Sequence, residues 1–388
     1  MSGSSEKEKI YNGFEQGPIR PPSEAYSLLI RITRNCPWNR CSFCPVYKGT
    51  KFSLRPVEHV IEDIDSVSRH VHALKDMGNA TGQILREDLN AYNAGLDTSE
   101  RSAFHAAVNW FAAGMESIFL QDANSLIIKP KDLIRILDHL MKCFPWVKRI
   151  TSYARSRTVA RISDESLKAF AQAGLNRIHI GMESGSDEVL TFVKKGVDQK
   201  THIKAGRKVK AAGIELSEYV MPGLGGRKLS KIHALETADA LNQINPDFIR
   251  IRTLAIPNSV ELYDEYASGR FEKLTDVETA EELLLFLENL TGITSFIKSD
   301  HILNLFEEVE GKLPEDKDRI TGVIQTFLAM DPHHRMLYQV GRRMGLFSRL
   351  SDLNNQDLIA RAEAACRQYD ITPDNVDQMI VEIMKRFI

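Results

Sequence analysis

Three of the five cysteines in this chain, Cys36, Cys41 and Cys44, fall within nine residues, in the run Arg34-Asn35-Cys36-Pro37-Trp38-Asn39-Arg40-Cys41-Ser42-Phe43-Cys44. The Cys-x4-Cys-x2-Cys spacing is tight enough to set three thiolates around one inorganic centre. Three is the informative count. An iron–sulfur cluster with four cysteine ligands is closed, whereas three leave one iron open to a chelating ligand, the same open-position logic that separates catalytic from structural zinc. The alternative is a zinc site completed by His59, fifteen residues beyond Cys44. It is less favoured because structural zinc ligands pair at two short spacings and one is present here. Phe43 reads either as a core aromatic or as a flat apolar ring against which a planar ligand packs. Cys143 and Cys366 stand alone and read as small buried apolar side chains. An odd count with this clustering argues against a disulfide framework.

A loop that holds a cluster needs rigid elements around it. Residues Tyr26 to Ile32 are short and apolar, as a buried strand is, and the cysteines follow on its C-terminal side. Five further strands are predicted at Ser117 to Leu120, Val147 to Tyr153, Arg177 to Met182, Ile214 to Met221 and Asp247 to Leu254. Amphipathic stretches alternate with them: Lys131 to Cys143, Asp164 to Ala173, His202 to Ala212 and Lys231 to Asn242. Six β-then-α units imply a parallel sheet with right-handed crossovers, and a partial barrel with its active face at the strand C-termini. Residues 1–25, with Gly17-Pro18-Ile19-Arg20-Pro21-Pro22, read as an irregular lead-in. The barrel is placed at 26–270, with an insertion at about 57–110 whose polar run Asp76 to Gly95 forms a helical insertion or mobile loop. Residues 271–388 are expected to be a mostly helical C-terminal region, with helices at Thr279 to Asn289, Asp316 to Ala329 and Val376 to Phe387.

With these features in place, the chain resembles the radical S-adenosylmethionine (SAM) superfamily over roughly residues 26 to 260. Members usually carry Cys-x3-Cys-x2-Cys, with an aromatic residue before the third cysteine, on the loop after the first strand of a partial (βα)6 barrel. This chain has one extra residue between its first two cysteines. The resemblance implies an α/β partial (βα)6 barrel, a [4Fe-4S] cluster on Cys36, Cys41 and Cys44, and SAM as the ligand of the open iron. It marks no catalytic residue beyond the cluster ligands.

The cofactor-binding candidates follow from the same resemblance. Phe43 would pack adenine. Ser117-Ile118-Phe119-Leu120-Gln121-Asp122-Ala123-Asn124 is similar to the second strand and its Gly-Gly-Glu turn, where Asp122 and Asn124 would meet the SAM amino group; the competing reading is an Asx turn. Arg155 would face the SAM carboxylate as a guanidinium fork, unless it is a solvated surface arginine. Arg177 to Ser186 is similar to the fourth-strand motif of the methylthiotransferase, Elongator-catalytic-subunit and coproporphyrinogen-dehydrogenase branches, which implies that Glu183, with Ser184 beside it, takes a SAM hydroxyl or amine. Period-two geometry puts His179, Gly181 and Glu183 on one face of that strand. A carboxylate at a helix N-terminus is the plainer reading of Glu183, and a satisfied core histidine that of His179. Val220 to Gly226 resembles the glycine motif after the fifth strand, bringing Gly223 near the adenine; glycine loops also mark plain turns.

The function implied is reductive cleavage of SAM to a radical that abstracts hydrogen from a small-molecule substrate, with a flavodoxin or ferredoxin-type electron donor. A primary carbon radical attacks the nearest hydrogen, so water exclusion by a lid such as Asp76 to Gly95 is expected. Oxygen sensitivity follows from the cluster. Net charge is −2 with a pI near 6.6, so no general basic field attracts nucleic acid; the run Asp331-Pro332-His333-His334-Arg335 through Arg342-Arg343 reads as a solvated helix face first and as a patch for an anionic substrate second. An RNA-base-modifying radical SAM enzyme is the second reading, and a non-catalytic iron–sulfur or zinc-binding protein the third. Hydrophobic residues at 43% and charged ones at 26% are ordinary for a soluble globular chain. No stretch approaches the roughly 20 apolar residues of a membrane span. Met1 to Lys9 has no apolar leader core, and a cytoplasmic protein without membrane contact is expected.

Overall fold

The computed structural model describes residues 10–78 and 83–384. Its first elements are β1 (Leu28–Arg31), β2 (Thr33–Arg34), β3 (Ser53–Leu54), α1 (Val57–Met77), α2 (Arg86–Ala94), α3 (Thr98–Ala112), β4 (Ser117–Gln121) and α4 (Pro130–Cys143). There follow β5 (Arg149–Ala154), α5 (Ser156–Val159), α6 (Asp164–Gln172), β6 (Leu175–Glu183), α7 (Asp187–Phe192), α8 (Gln199–Ala211), β7 (Glu215–Val220), α9 (Gly226–Ile244) and β8 (Phe248–Ile251). The remainder is α10 (Glu261–Ala267), α11 (Asp276–Glu288), β9 (Phe296–Lys298), β10 (Gly311–Lys312), α12 (Lys317–Ala329), α13 (Pro332–Arg343), α14 (Gln356–Gln368) and α15 (Val376–Met384). The class is α/β with parallel strands. All six expected strands are present, as β1 and β4 to β8.

Contacts divide the chain into two compact units, 1–39 with 49–180 and 208–215, and 40–48 with 181–207 and 216–388. In the first, β1, β4, β5 and β6 lie side by side and parallel, with Leu28 opposite Ile118, Ile118 opposite Ile150 and Tyr153 opposite His179. Every residue of β4 is buried, as a central parallel strand requires. Helix α4 turns Leu133, Ile136, Leu137 and Leu140 inward, a stripe at helical spacing, and α1 packs against it and α3. The insertion is therefore helical. Part of the polar run Asp76 to Gly95 is α2, which buries no residue, and residues 79–82 lie outside the described part.

Residues 10–25 carry no regular element beyond a short 3-10 turn at Pro22–Glu24, yet specific side-chain bonds tie them down. The Gln121 side chain donates to the carbonyls of Gly17 and Ile19 and accepts from the Gly17 N–H. Glu15 pairs with Arg31 and Arg34, and Tyr11 donates to Asp63 at 2.9 Å. Buried Glu24 meets His179 Nε2 at 3.5 Å, so His179 is a core histidine, ringed by Phe119 and Tyr153. Low hydrophobicity hid this segment, because it is held by hydrogen bonds rather than apolar packing. Cys143 departs from expectation: it is half-buried, with its Sγ 3.6 Å from His139 Nε2.

In the second unit β7, β8 and β9 are parallel, with Ser217 opposite Phe248 and Ile249 opposite Ile297, and β10 runs antiparallel to β9. The C-terminal region is thus not only helical. Its strands have three and two residues, too short for a period-two pattern to show in sequence. Helix α11 begins with a Thr275–Glu278 capping box, and α13 with Asp331 accepting from the N–H groups of His333 and His334. Phe306, Phe327, Tyr338 and Phe347 make its aromatic core. The last predicted helix is observed to Met384; residues 385–388 lie outside the described part.

Candidate active site

The cysteine loop leaves and returns through a two-residue antiparallel ladder, Thr33 opposite Leu54 and Arg34 opposite Ser53. Within the first unit, the start of this loop is pinned by Asp122. The Asp122 side chain is fully buried, and its Oδ2 accepts from Arg31 Nε at 2.9 Å, Arg31 Nη2 at 2.6 Å and the backbone N–H of Asn35 at 2.8 Å. Asp122 thereby fixes the residue next to Cys36. Gly17 makes this possible, because a Cβ there would stand 2.0 Å from Asp122 Oδ1. Asn35 and Asn39 adopt positive φ angles of 67° and 45°, a conformation asparagine tolerates better than most residues. The Asn39 N–H points at Cys36 Sγ at 3.5 Å, so the longer Cys36-to-Cys41 spacing is taken up in a left-handed turn.

The other first-unit candidates are committed locally. Asn124 donates to Thr158 Oγ1 at 2.9 Å and accepts from the Arg155 N–H at 3.0 Å, holding the start of α5. The Arg155 guanidinium lies 5.3 Å from the centre of the Trp38 ring, within the cysteine loop. His59, the proposed fourth zinc ligand, is buried edge-on against Tyr11.

Within the second unit the loop continues through Cys41, Phe43 and Cys44, and neither cysteine is in a disulfide. Ser42 ties it down: its N–H donates to the Val193 carbonyl at 3.0 Å and its carbonyl accepts from the Leu262 N–H at 2.9 Å. Phe43 is buried, with Lys195 Nζ 5.7 Å from its ring centre. Lys195 in turn donates to Glu183 Oε1 at 3.0 Å. Glu183 ends β6 at φ 65°, and a Cβ on Gly181 would come within 2.3 Å of Glu183 Oε1. Gly181 is the gap in which this carboxylate sits.

Sequence reasoning missed the remaining member. Glu218 on β7 is fully buried, and neither carboxylate oxygen has a hydrogen-bond partner among the described residues. Burial, reinforced by the negative charge of Glu183 and opposed by Lys195, raises its carboxyl well above the usual range. A neutral carboxyl group can donate one hydrogen bond and accept others; a cationic ligand beside it would draw off the proton. An acidic residue inside a strand otherwise free of charge between Leu216 and Val220 was the available signal. Ser184 and Gly223 form a support behind this group. Ser184 Oγ contacts His233 Nδ1 at 2.8 Å, His233 Nε2 meets the Met221 carbonyl at 3.1 Å, and the Gly223 N–H donates to Glu282 at 2.7 Å. The structure thus brings Phe43, Glu183, Lys195 and Glu218 together, while Asn124 and Ser184 spend their polar atoms on the scaffold.

A three-cysteine loop after the first of a series of parallel strands, with charged groups at and after the fourth and on the fifth, defines a class. Residues 90–238 match the family described as the radical SAM superfamily, so this part of the chain is a radical SAM domain, of a family that uses a [4Fe-4S] cluster and SAM. The match begins beyond the cysteine loop and ends within α9. Among individual proteins, the chain is 25% identical over 120 residues to the tRNA uridine(34) acetyltransferase of Methanocaldococcus infernus, covering 31% of this chain and 22% of that one. It is 27% identical over 229 residues to the 4'-phospho-dehydrooxetanocin synthase of Priestia megaterium, covering 55% and 26%. The chain thus spans about a quarter of the length of these relatives. A solved structure of the radical SAM methyltransferase TsrM from Kitasatospora setae, with cobalamin and a [4Fe-4S] cluster bound, aligns with a TM-score of 0.44 at 14% identity, over 92% of this chain and 66% of that one.

The residues present suit the cofactors of the superfamily. Three thiols on one short loop match a cluster with an open iron. Glu218, buried without a partner, is a polar group that a ligand with hydroxyl or ammonium groups would satisfy.

Proposed function

We propose that this chain is a radical SAM enzyme acting on a small molecule, with Cys36, Cys41 and Cys44 holding the cluster and Phe43, Glu183, Lys195 and Glu218 receiving SAM. When bound and reduced by one electron from a flavodoxin or ferredoxin-type donor, the cluster would cleave SAM and supply a radical that abstracts hydrogen from the substrate. The chain's own residues bind and orient. Glu183, positioned by Lys195, accepts hydrogen bonds from hydroxyl or amine groups; Glu218 contributes a second carboxyl group in a water-free setting; Phe43 offers an apolar face to a base. The single observation that carries this reading is the orphaned carboxyl group of Glu218 beside Lys195 and Glu183, in the unit that also holds Cys41 and Cys44.

A cavity of about 450 Å³ in the second unit supports a small substrate. It opens beside Gly223 and Leu254, just beyond the ends of β7 and β8, and is lined by Lys273, Asp276 and Asp377. Burial lowers the pKa of the Lys273 amine, partly offset by Asp276. A carboxylate or phosphate on the substrate would oppose that lowering by favouring the charged amine.

The test is anaerobic reconstitution with iron and sulfide, reduction, addition of SAM, and measurement of 5'-deoxyadenosine. Production by the parent and none by a Cys36→Ala/Cys41→Ala/Cys44→Ala variant is expected. A loaded four-iron cluster that yields no product and no spectral change with SAM would sink the proposal.

RNA-base modification is the second reading, motivated by a relative named for tRNA uridine(34). The C-terminal basic run serves other ends: Arg342 bonds the carbonyls of Leu305 and Phe347 together with Glu307, and buried Arg343 pairs with Asp276. Retention of tRNA at physiological salt, weakening steeply as salt rises, would favour RNA.

A further inference from the structure

Away from the cysteine loop, three side chains of the first unit converge between two helices. Asp65 lies on α1, and His139 and Cys143 sit four residues apart on α4, so they share one helix face. One ligand atom from each falls within 4.8 Å of the others. We propose that Asp65, His139 and Cys143 form a binding site for a divalent transition metal of the zinc class, bridging α1 to α4.

A tetrahedral ion with bonds of about 2.3 Å to sulfur and about 2.0 Å to nitrogen and oxygen holds S···N and S···O at about 3.5 Å and N···O at about 3.3 Å. The observed edges are 3.6 Å from Cys143 Sγ to His139 Nε2, 3.9 Å from Cys143 Sγ to Asp65 Oδ1, and 2.7 Å from His139 Nε2 to Asp65 Oδ1. The Cys143–His139 edge already has metal-site dimensions, and the Cys143–Asp65 edge is about 0.4 Å longer. The third is an imidazole–carboxylate hydrogen bond, which an ion would replace by opening it about 0.6 Å. Side-chain exposures of 23% for His139 and 45% for Asp65 leave room for that movement.

One thiolate, one imidazole and one carboxylate form a borderline-soft set that favours zinc-type ions over magnesium or calcium, which take oxygen ligands. Three protein ligands leave a fourth position for water. Solvent can reach it, because His139 also lines an open groove with Ile61, Ile134 and Lys142. Binding would displace a proton from Cys143 and tie α1 to α4. The radical SAM reading neither requires this site nor supplies it.

Cobalt(II) is the probe, used on the full chain carrying Cys36→Ala, Cys41→Ala and Cys44→Ala so that the cluster loop cannot bind it. A single bound Co²⁺ with tetrahedral d–d bands and thiolate-to-cobalt charge transfer is expected. Adding Cys143→Ala should abolish the charge-transfer band, and His139→Ala should weaken affinity about 100-fold. Thermal melting of the three-alanine protein gives a readout that needs no further variant: Zn²⁺ should raise its Tm and a chelator should reverse the rise. The site does not exist if the three-alanine protein shows no thiolate-to-cobalt charge transfer, or if that band survives Cys143→Ala.

Discussion

Glu218 concentrates the chemistry of the second unit in a single residue. Its carboxyl is raised by burial first and by Glu183 next, so the native protein without cofactors binds a proton there that the unfolded chain releases in the ordinary carboxylate range. Stability from this group is full below the unfolded-state pKa and is lost as pH rises through the folded one. Glu218→Gln should therefore flatten the fall in denaturant midpoint of cofactor-free protein as pH rises above the ordinary carboxylate range. Parallel slopes for parent and variant would show that Glu218 ionises freely. Asp122 is a residue of the other kind, a structural anion held by Arg31 and the Asn35 N–H. Asp122→Asn removes the nearer of the two carboxylates around a mostly buried guanidinium and should cost about 3 kcal/mol in chemical denaturation. It should also lower the iron retained per chain after reconstitution, since Asn35 precedes Cys36.

Elements decide whether those residues can act. The β2–β3 ladder and the segment around Gly17 hold the first-unit end of the cysteine loop from two directions. Gly17→Ala should act like a partial Asp122 lesion, because its methyl group would displace the Asp122 carboxylate; reconstituted iron content should fall while the far-UV circular dichroism stays that of the parent. Normal iron loading in that variant would mean the N-terminal segment is not part of the loop's support. At the other end of the sequence, α13 carries Arg343 against Asp276 and the Leu303 carbonyl in a buried setting. Removing the guanidinium leaves Asp276 without its partner, so Arg343→Ala should destabilise the second unit by about 3–5 kcal/mol in urea unfolding. A loss of RNA retention in such a variant would report unfolding rather than a lost contact.

For the molecule as a whole, the proposed radical SAM chemistry would tie activity to the absence of oxygen and to a low-potential electron source. The near-neutral charge of −2 gives no long-range attraction to polyanions, which accords with a small substrate. No helix among the described residues is long and apolar enough to cross a membrane. Exposure of reconstituted protein to air should abolish 5'-deoxyadenosine formation and bleach the iron–sulfur absorption together. Loss of one without the other would separate the cluster from the activity.

Local patterns in the chain determined the parts that depend on neighbours in sequence: six buried strands, the helices between them, and three cysteines close enough to share a centre, because periodicity and ligand spacing are short-range properties. The fourth-strand motif likewise marked Glu183. Tertiary structure alone decided what distant residues do for one another. Asp122 became an anchor for Asn35 across 87 positions, and Arg342 and Arg343 turned inward instead of forming a basic face. The polar segment before β1 became part of the core through Glu24 and His179, 155 residues apart. Cys143, solitary in sequence, acquired His139 four residues away and Asp65 from another helix. Hydrogen bonds and ion pairs between remote side chains leave no periodic trace in a sequence, so these roles emerge only once the strands and helices have brought the groups within about 3 Å of each other.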